Sequence, residues 1–218
     1  MAARNINEIF LLVDYICRKQ RGVFISIDEF NESIVAANLE AYSYYWELSY
    51  RADQLLHDAL QPFKVLRYQF TSAADGLVTF PSDYSHLFLG VFTVYGSTIH
   101  PCQFLDNEQV AQNLDNQLRP ITLSNPIAEY APSGFQLYPM SQQTGFFSYL
   151  RLPAQPQFVG TYVNRVLTYN AAASTQIEFK DIYVNNIIAR SLKYFSINMS
   201  ETEIQQFAQL QQQETQTP

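Results

Sequence analysis

Apolar residues recur at three- and four-residue spacing from Ile6 to about Lys19. Ile6, Ile9, Phe10, Val13, Ile16 and Cys17 share one face, which predicts an amphipathic helix. Asn5 is placed to accept from the open amides of the first turn, and Glu8 holds the capping-box position. Arg18, Lys19 and Arg21 gather at the far end, where the helix dipole favours cations, and Gly22 stops the helix. A second capping box, Ser26-Ile27-Asp28-Glu29, opens a longer run. Ile27, Phe30, Ile34, Ala37, Ala41, Tyr44, Leu48, Ala52, Leu55 and Ala59 follow one stripe of it. Val35, Leu39, Tyr42, Trp46, Leu56 and Leu60 follow a second. An unbroken helix from Ile27 to Leu60, closed by Pro62, is about 45 Å long. A surface helix of a monomer needs only one apolar stripe. The second is therefore either sandwiched inside its own fold or turned to another subunit, and the length of the run favours the subunit. Leu39, Tyr42 and Trp46 are the residues expected in the bundle core or at that interface, and Phe207 of the last helix is a further interface candidate.

From Phe63 to Phe179 the period changes to two and turn residues recur. The stretches FKVLRYQF and GLVTF alternate, and HLFLGVFTVYG reads as a core strand turning at Gly96-Ser97. Phe135 to Tyr138 and Phe146 to Leu152 add two more strands, with Gly145 expected to separate them. Eight of the ten prolines fall between Pro81 and Pro156, which suits short strands and long loops. A short helix is expected from Asn107 to Asn116. Helical spacing resumes near Asp181 with Val184, Ile187, Ile188, Ser191, Leu192 and Phe195. A third capping box, Ser200 to Glu203, starts a last helix carrying Ile204, Phe207 and Ala208. The layout predicts an α+β fold. Helices of residues 1–61 and 181–210 form a bundle, an antiparallel sheet of sandwich or barrel type is inserted at 62–180, and 211–218 is a polar tail, free or ordered on a neighbour.

Composition narrows the function classes. With 47% hydrophobic and 15% charged residues, most of the 218-residue chain is globular. Its 15 Tyr and 16 Phe stand beside one Trp. Tyrosines suit surfaces buried only on assembly, and equally a Tyr-rich core. The net charge is −7, and between Tyr68 and Leu118 there are five acids and no Lys or Arg. Such a surface lacks the cations that displace counterions from phosphate, so DNA would pass it without specific binding.

No arrangement of residues points to catalysis, a cofactor or a metal. His57, His86 and His100 stand apart from each other and from Cys17 and Cys102, and the seven glycines form no phosphate loop. The expectation is therefore no catalytic, cofactor-binding or metal-binding residues. Cys17 reads as a buried free thiol. No secretory pattern opens the sequence and no apolar run approaches a membrane span, which predicts a soluble protein made in a reducing cytoplasm.

Several segments, in order, resemble one family. Asp58-Ala59-Leu60-Gln61-Pro62-Phe63 closes the long helix as that family does. Phe80-Pro81-Ser82-Asp83-Tyr84 is similar to its leucine-Pro-x-Asp-Tyr segment, with Phe for Leu. Leu137-Tyr138-Pro139 with Tyr149-Leu150-Arg151-Leu152-Pro153 is similar to its Tyr-Pro and Tyr-Leu-Arg-x-Pro pair, and Ile187-Ile188-Ala189-Arg190-Ser191-Leu192 to its closing helix. The family is the connector-ring, or tail-tubular, proteins of short-tailed phages, the crAss-like phages among them. The resemblance implies a virion protein synthesised in the host cytoplasm, in a homo-oligomeric ring of twelve-fold symmetry. Its partners would be its own copies, the portal and neighbouring connector or tail proteins, and its role head-to-tail joining, genome retention and DNA ejection. Two other readings stay open: a tail-fibre adaptor or similar accessory tail protein, and a hydrolase using one of the three histidines.

Overall fold

The structure is a computed structural model and describes residues 4–49, 58–114, 120–163 and 166–216. The fold is mixed α+β and divides into two compact units, residues 1–62 with 153–218 and Phe63–Leu152. The sheet unit thus ends at Leu152, not at residue 180 as the change of period suggested.

In the first unit, α1 (Ile6–Arg21) begins as its sequence dictates. Asn5 Oδ1 accepts from the Glu8 amide at 2.9 Å, and Gly22 takes the left-handed conformation that lets its amide reach the Arg18 carbonyl. Burial of α1 extends beyond the expected stripe: Leu12, Tyr15 and Asp14 join it, and Asp14 is bridged to Arg18 at 2.8 Å. The helix α2 (Ile27–Ser49) starts from a reciprocal capping box, in which Glu29 Oε2 accepts from both the amide and the hydroxyl of Ser26. That pairing lowers the Glu29 pKa. Residues 58 and 59 are again helical, and Gln61–Phe63 forms a single 3-10 turn. Continuity of the helix from Ile27 to Leu60, with Ala52, Leu55 and Leu56 on it, lies outside the described residues.

Phe30, Ile34, Ala37 and Ala41 are fully buried on α2, which packs on α4 (Asp181–Tyr194) through Val184, Ile187, Ile188 and Leu192. Small side chains let the two helices approach, and the hydroxyls of Ser33 and Ser191 meet at 2.8 Å in the seam. The last helix, α5 (Glu201–Gln216), contacts α4 and α1. It runs to Gln216, into the stretch 211–218 expected to be a polar tail, free or ordered on a neighbour. Between α2 and α4 in sequence, the first unit also holds a hairpin that the periodicity did not announce, β8 (Gly160–Val163) and β9 (Val166–Tyr169). Its root is anchored by Phe158, which is fully buried and stacked on Phe10 with centroids 4.5 Å apart. The Asn31 amide grips the Phe158 backbone from both sides, accepting from its N–H at 2.8 Å and donating to its carbonyl at 3.0 Å.

The second unit is one sheet of seven strands, ordered β1-β7-β3-β4-β5-β6-β2. The strands are β1 (Lys64–Thr71), β2 (Leu77–Thr79), β3 (Tyr84–Tyr95), β4 (Thr98–Phe104), β5 (Ile127–Ala131), β6 (Gly134–Tyr138) and β7 (Thr144–Arg151). All neighbours are antiparallel except β4 and β5, a departure from the expected purely antiparallel sheet. The sheet curls, so that Phe70 on one edge strand and Phe135 near the other meet at 5.6 Å over a shared core with Val91, Phe147 and Tyr149. Bulges on β1 and β3 flank the same level of β7, where the Ser148 hydroxyl accepts from the Arg67 amide. Gly145 does not separate two strands: it lies inside β7, where a Cβ would run into the Phe92 carbonyl and the Phe70 ring. The predicted turn at Gly96-Ser97 joins β3 to β4, and α3 (Asn107–Leu114) covers Ile127 and Tyr138 through Val110.

Candidate functional site

The Pro-Asp-Tyr and Tyr-Leu-Arg segments lie more than sixty residues apart in sequence, yet β3 and β7 lay them side by side. Tyr84 pairs with Arg151, the Tyr149 hydroxyl donates to Asp83 Oδ1 at 2.9 Å, and the Leu152 amide donates to the Asp83 carbonyl at 2.7 Å. Phe80 stacks flat on Tyr84 at 3.7 Å, and the Arg151 guanidinium lies over the Phe63 ring at 5.7 Å. Burial, with the Asp83 carboxylate beside it, pushes the Tyr149 phenol up to about 12, so the hydroxyl stays a donor at any physiological pH. Asp83 is thus a joint: it fixes the first strand of the motif pair to the last, at the point where the chain leaves the sheet.

Arg190, in the closing-helix segment Ile187 to Leu192, does the equivalent work in the helical unit. Its guanidinium pairs with Glu40 of α2, lies 4.7 Å over the Tyr44 ring and donates to Asn186 at 2.7 Å. A planar, permanently charged fork can make all three contacts at once.

The four interface candidates separate. Tyr42 is buried, with the core face of α2, and so belongs to the packing of its own unit. Leu39 is 39% exposed and Trp46 half-buried, on the flank of α2 beside half-buried Val35. Phe207 is half-buried, its ring 6.4 Å from Tyr15. The tyrosines divide between core and surface. Tyr42, Tyr45 and Tyr149 are core residues, whereas Tyr95, Tyr130, Tyr162 and Tyr194 are each more than half exposed.

Among the described residues the groups with chemical potential do not converge. His86 on β3 is half-buried, which lowers its pKa, and His100 sits on β4 opposite Thr93; His57 lies outside the described residues. Both thiols are free, and burial pushes each up to about 11, which favours the protonated form at neutral pH. The terminal cations of α1 fold onto their own surface: Arg18 over Phe24, Lys19 over Tyr15, Arg21 donating to the Ser196 carbonyl. A cavity of about 360 Å³ between α1 and the start of α5 is lined by Gln20, Arg21, Asn198, Glu203 and Phe207, and its two charged groups are occupied with Ser196 and Ser200. Among the described residues no three His, Cys, Asp or Glu side chains are grouped to hold a metal, and no helix is long and apolar enough to cross a membrane.

Sequence reasoning found Asp83, Tyr149 and Arg190 as members of short motifs, but their partners could not be read from spacing. It missed the apolar hairpin tip of Tyr162, Val163 and Val166, whose alternation over four residues is too short to stand out. No protein-family model matches this chain, and none of the curated proteins is significantly similar to it.

Proposed function

We propose that this chain is a structural virion subunit that forms a homo-oligomeric ring in the portal–tail connector of a short-tailed phage. The ring joins head to tail and encloses the path along which DNA is retained and then ejected. The observation that carries this reading is the Asp83–Tyr149 joint. The two segments that resemble the connector family in sequence are structural partners, and a chance likeness of two short stretches gives no reason for them to meet. The packing of α4 on α2, and of α5 on α1 and α4, supports the finer arrangement in which N- and C-terminal helices together form the bundle of such a subunit.

The mechanism is geometric, with no catalytic step. A head-to-tail contact repeated about an axis closes a ring of about twelve copies, and the portal and adjoining tail proteins cap its two faces. An acidic chain with a long base-free stretch lets DNA slide through without holding it. The test is mass photometry and electron microscopy of the purified chain, alone and mixed with portal. A closed ring in either condition is expected. A chain that remains monomeric in both overturns the reading, and a trimer or hexamer would move it to a tail-fibre adaptor.

A further inference from the structure

Two helices of the first unit end in a left-handed turn, but different residues make it. At the end of α1 the residue is Gly22, with φ 68°, and at the end of α4 it is Ser196, with φ 56°. Glycine takes this conformation without penalty, whereas the Cβ of serine strains it. The turn after α4 is otherwise regular. The Ser196 amide donates to the Lys193 carbonyl at 2.8 Å, and the Ile197 amide to the Leu192 carbonyl at 3.0 Å. From Asp181 to Gln216 the sequence has neither glycine nor proline. No residue there forbids α4 and α5 from running on as one helix, so the bend between them depends on packing and not on a helix breaker.

That packing is thin. Among the described side chains of α5, Ile204 and Ala208 are buried, Phe207 and Gln211 are half-buried, and Leu210 is 47% exposed. Against α1, the Phe207 ring lies 6.4 Å from Tyr15, and the Gln211 amide donates to the Leu11 carbonyl at 3.2 Å. Against α4, Asn186 donates to Glu201 at 3.0 Å. The cavity of about 360 Å³ lies at the bend itself, lined by Ser196, Ile197, Met199 and Phe207, where a protein interior is normally filled. Arg21 latches the bend by donating to the Ser196 carbonyl at 3.1 Å. The start of α5 is complete in itself. Glu203 accepts from both the amide and the hydroxyl of Ser200, so the first turn stays capped whether or not the helix lies on α1.

A helix held by so few apolar side chains is the part of a fold that opens first. We propose that α5 is an exchangeable arm: the turn at Ser196 opens, and α5 leaves its own α1 to lie in the same groove on the α1 of the next copy. The structure itself names the occupant. The groove along Leu11 and Tyr15 is already filled by α5, and an exchanged α5 remakes those contacts atom for atom. Exchange also releases the strained turn, and short hinges under strain favour it. Passed in one direction from copy to copy, the arms make a heterologous contact that closes a ring. The inference rests on the ring reading and names the element that passes between copies.

The experiment uses the full-length chain with Cys102→Ser in two forms, one with Leu11→Cys on α1 and one with Gln211→Cys on α5. The two are mixed while dilute, assembled by concentration or on portal, and treated with a short bismaleimide. Where each α5 lies on its own α1, the two cysteines sit in different copies and stay apart, whereas exchange brings them together. A covalent dimer is expected in the mixture at several times its level in either variant alone. Assembly seen by mass photometry without that dimer would overturn the arm and leave the ring reading intact. A second variant reads the hinge without a cross-link. Ser196→Gly relaxes the closed turn and penalises a straight helix, so the concentration at half assembly should rise several-fold. Assembly as easy as that of the wild-type chain would also overturn the proposal. A chain monomeric at every concentration and on portal would remove both readings. Circular dichroism of each variant verifies that the fold is unchanged.

Discussion

At the scale of single residues, the best-defined contributions come from polar side chains that close a gap between segments far apart in sequence. Tyr149 donates to Asp83, Arg190 ties α4 to Glu40 and Tyr44, and Asn31 holds the backbone of Phe158 as a neighbouring strand would. Tyr149→Phe keeps the ring packing and removes one bond to a carboxylate, so a loss of about 1–3 kcal/mol is expected in urea denaturation at neutral pH. The pH dependence has a definite sign. A phenol whose pKa is raised on folding, here to about 12 from 10.0, adds stability that is complete below the unfolded value and disappears as pH climbs through the folded one. The wild-type chain should therefore lose stability between about pH 10 and 12 more steeply than Tyr149→Phe, and equal alkaline slopes would refute a specific role for this hydroxyl. Such contacts were invisible in the sequence because nothing local marks a partner sixty residues away. What could be read was the local half of each: the caps at Ser26 and Ser200, with their glutamates three residues on, form as the spacing dictates.

At the scale of elements, legibility followed burial. The strands β1, β3, β6 and β7 all send aromatic or aliphatic residues into one core and announce themselves by their apolar content, although β6 and β7 are buried on both faces over most of their length. The strand β4 breaks its pattern with Pro101, and the β8–β9 hairpin buries too little to leave a signature. The second apolar stripe of α2 divides between the two places open to it. Tyr42 turns into the core, Leu39 and Trp46 remain on the flank, and it is α1 that is enclosed on a broad arc. Two glycines give a paired test of what holds β7 and β3 in place. At Gly145 an added methyl group meets the Phe92 carbonyl and the Phe70 ring, whereas at Gly96 it meets nothing and only the positive φ of 61° opposes it. Gly145→Ala should cost about 1–3 kcal/mol through overpacking. Gly96→Ala should cost about 1 kcal/mol through backbone strain alone. Thermal midpoints that fall in the reverse order would show that the β7 backbone yields more readily than its neighbours suggest.

At the scale of the whole molecule, the division into two units places one complete core between Phe70 and Tyr149. Residues 63–152 expressed alone should unfold in a single cooperative transition, followed by tyrosine fluorescence in urea. Gradual, non-cooperative melting would show that the sheet depends on the rest of the chain. The two ends of this segment are adjacent, because Lys64 pairs with Leu150 across β1 and β7. That adjacency has a mechanical consequence. Tension transmitted along the chain would pull the two strands apart from their shared end, loading the ladder one rung at a time as in a zipper, which is the weak direction of a sheet. Asp83 clasps the Leu152 amide and the Tyr149 hydroxyl from the opposite flank of β7, so at the loaded end β7 stays riveted to β3 while the edge strand β1 is the one that peels away.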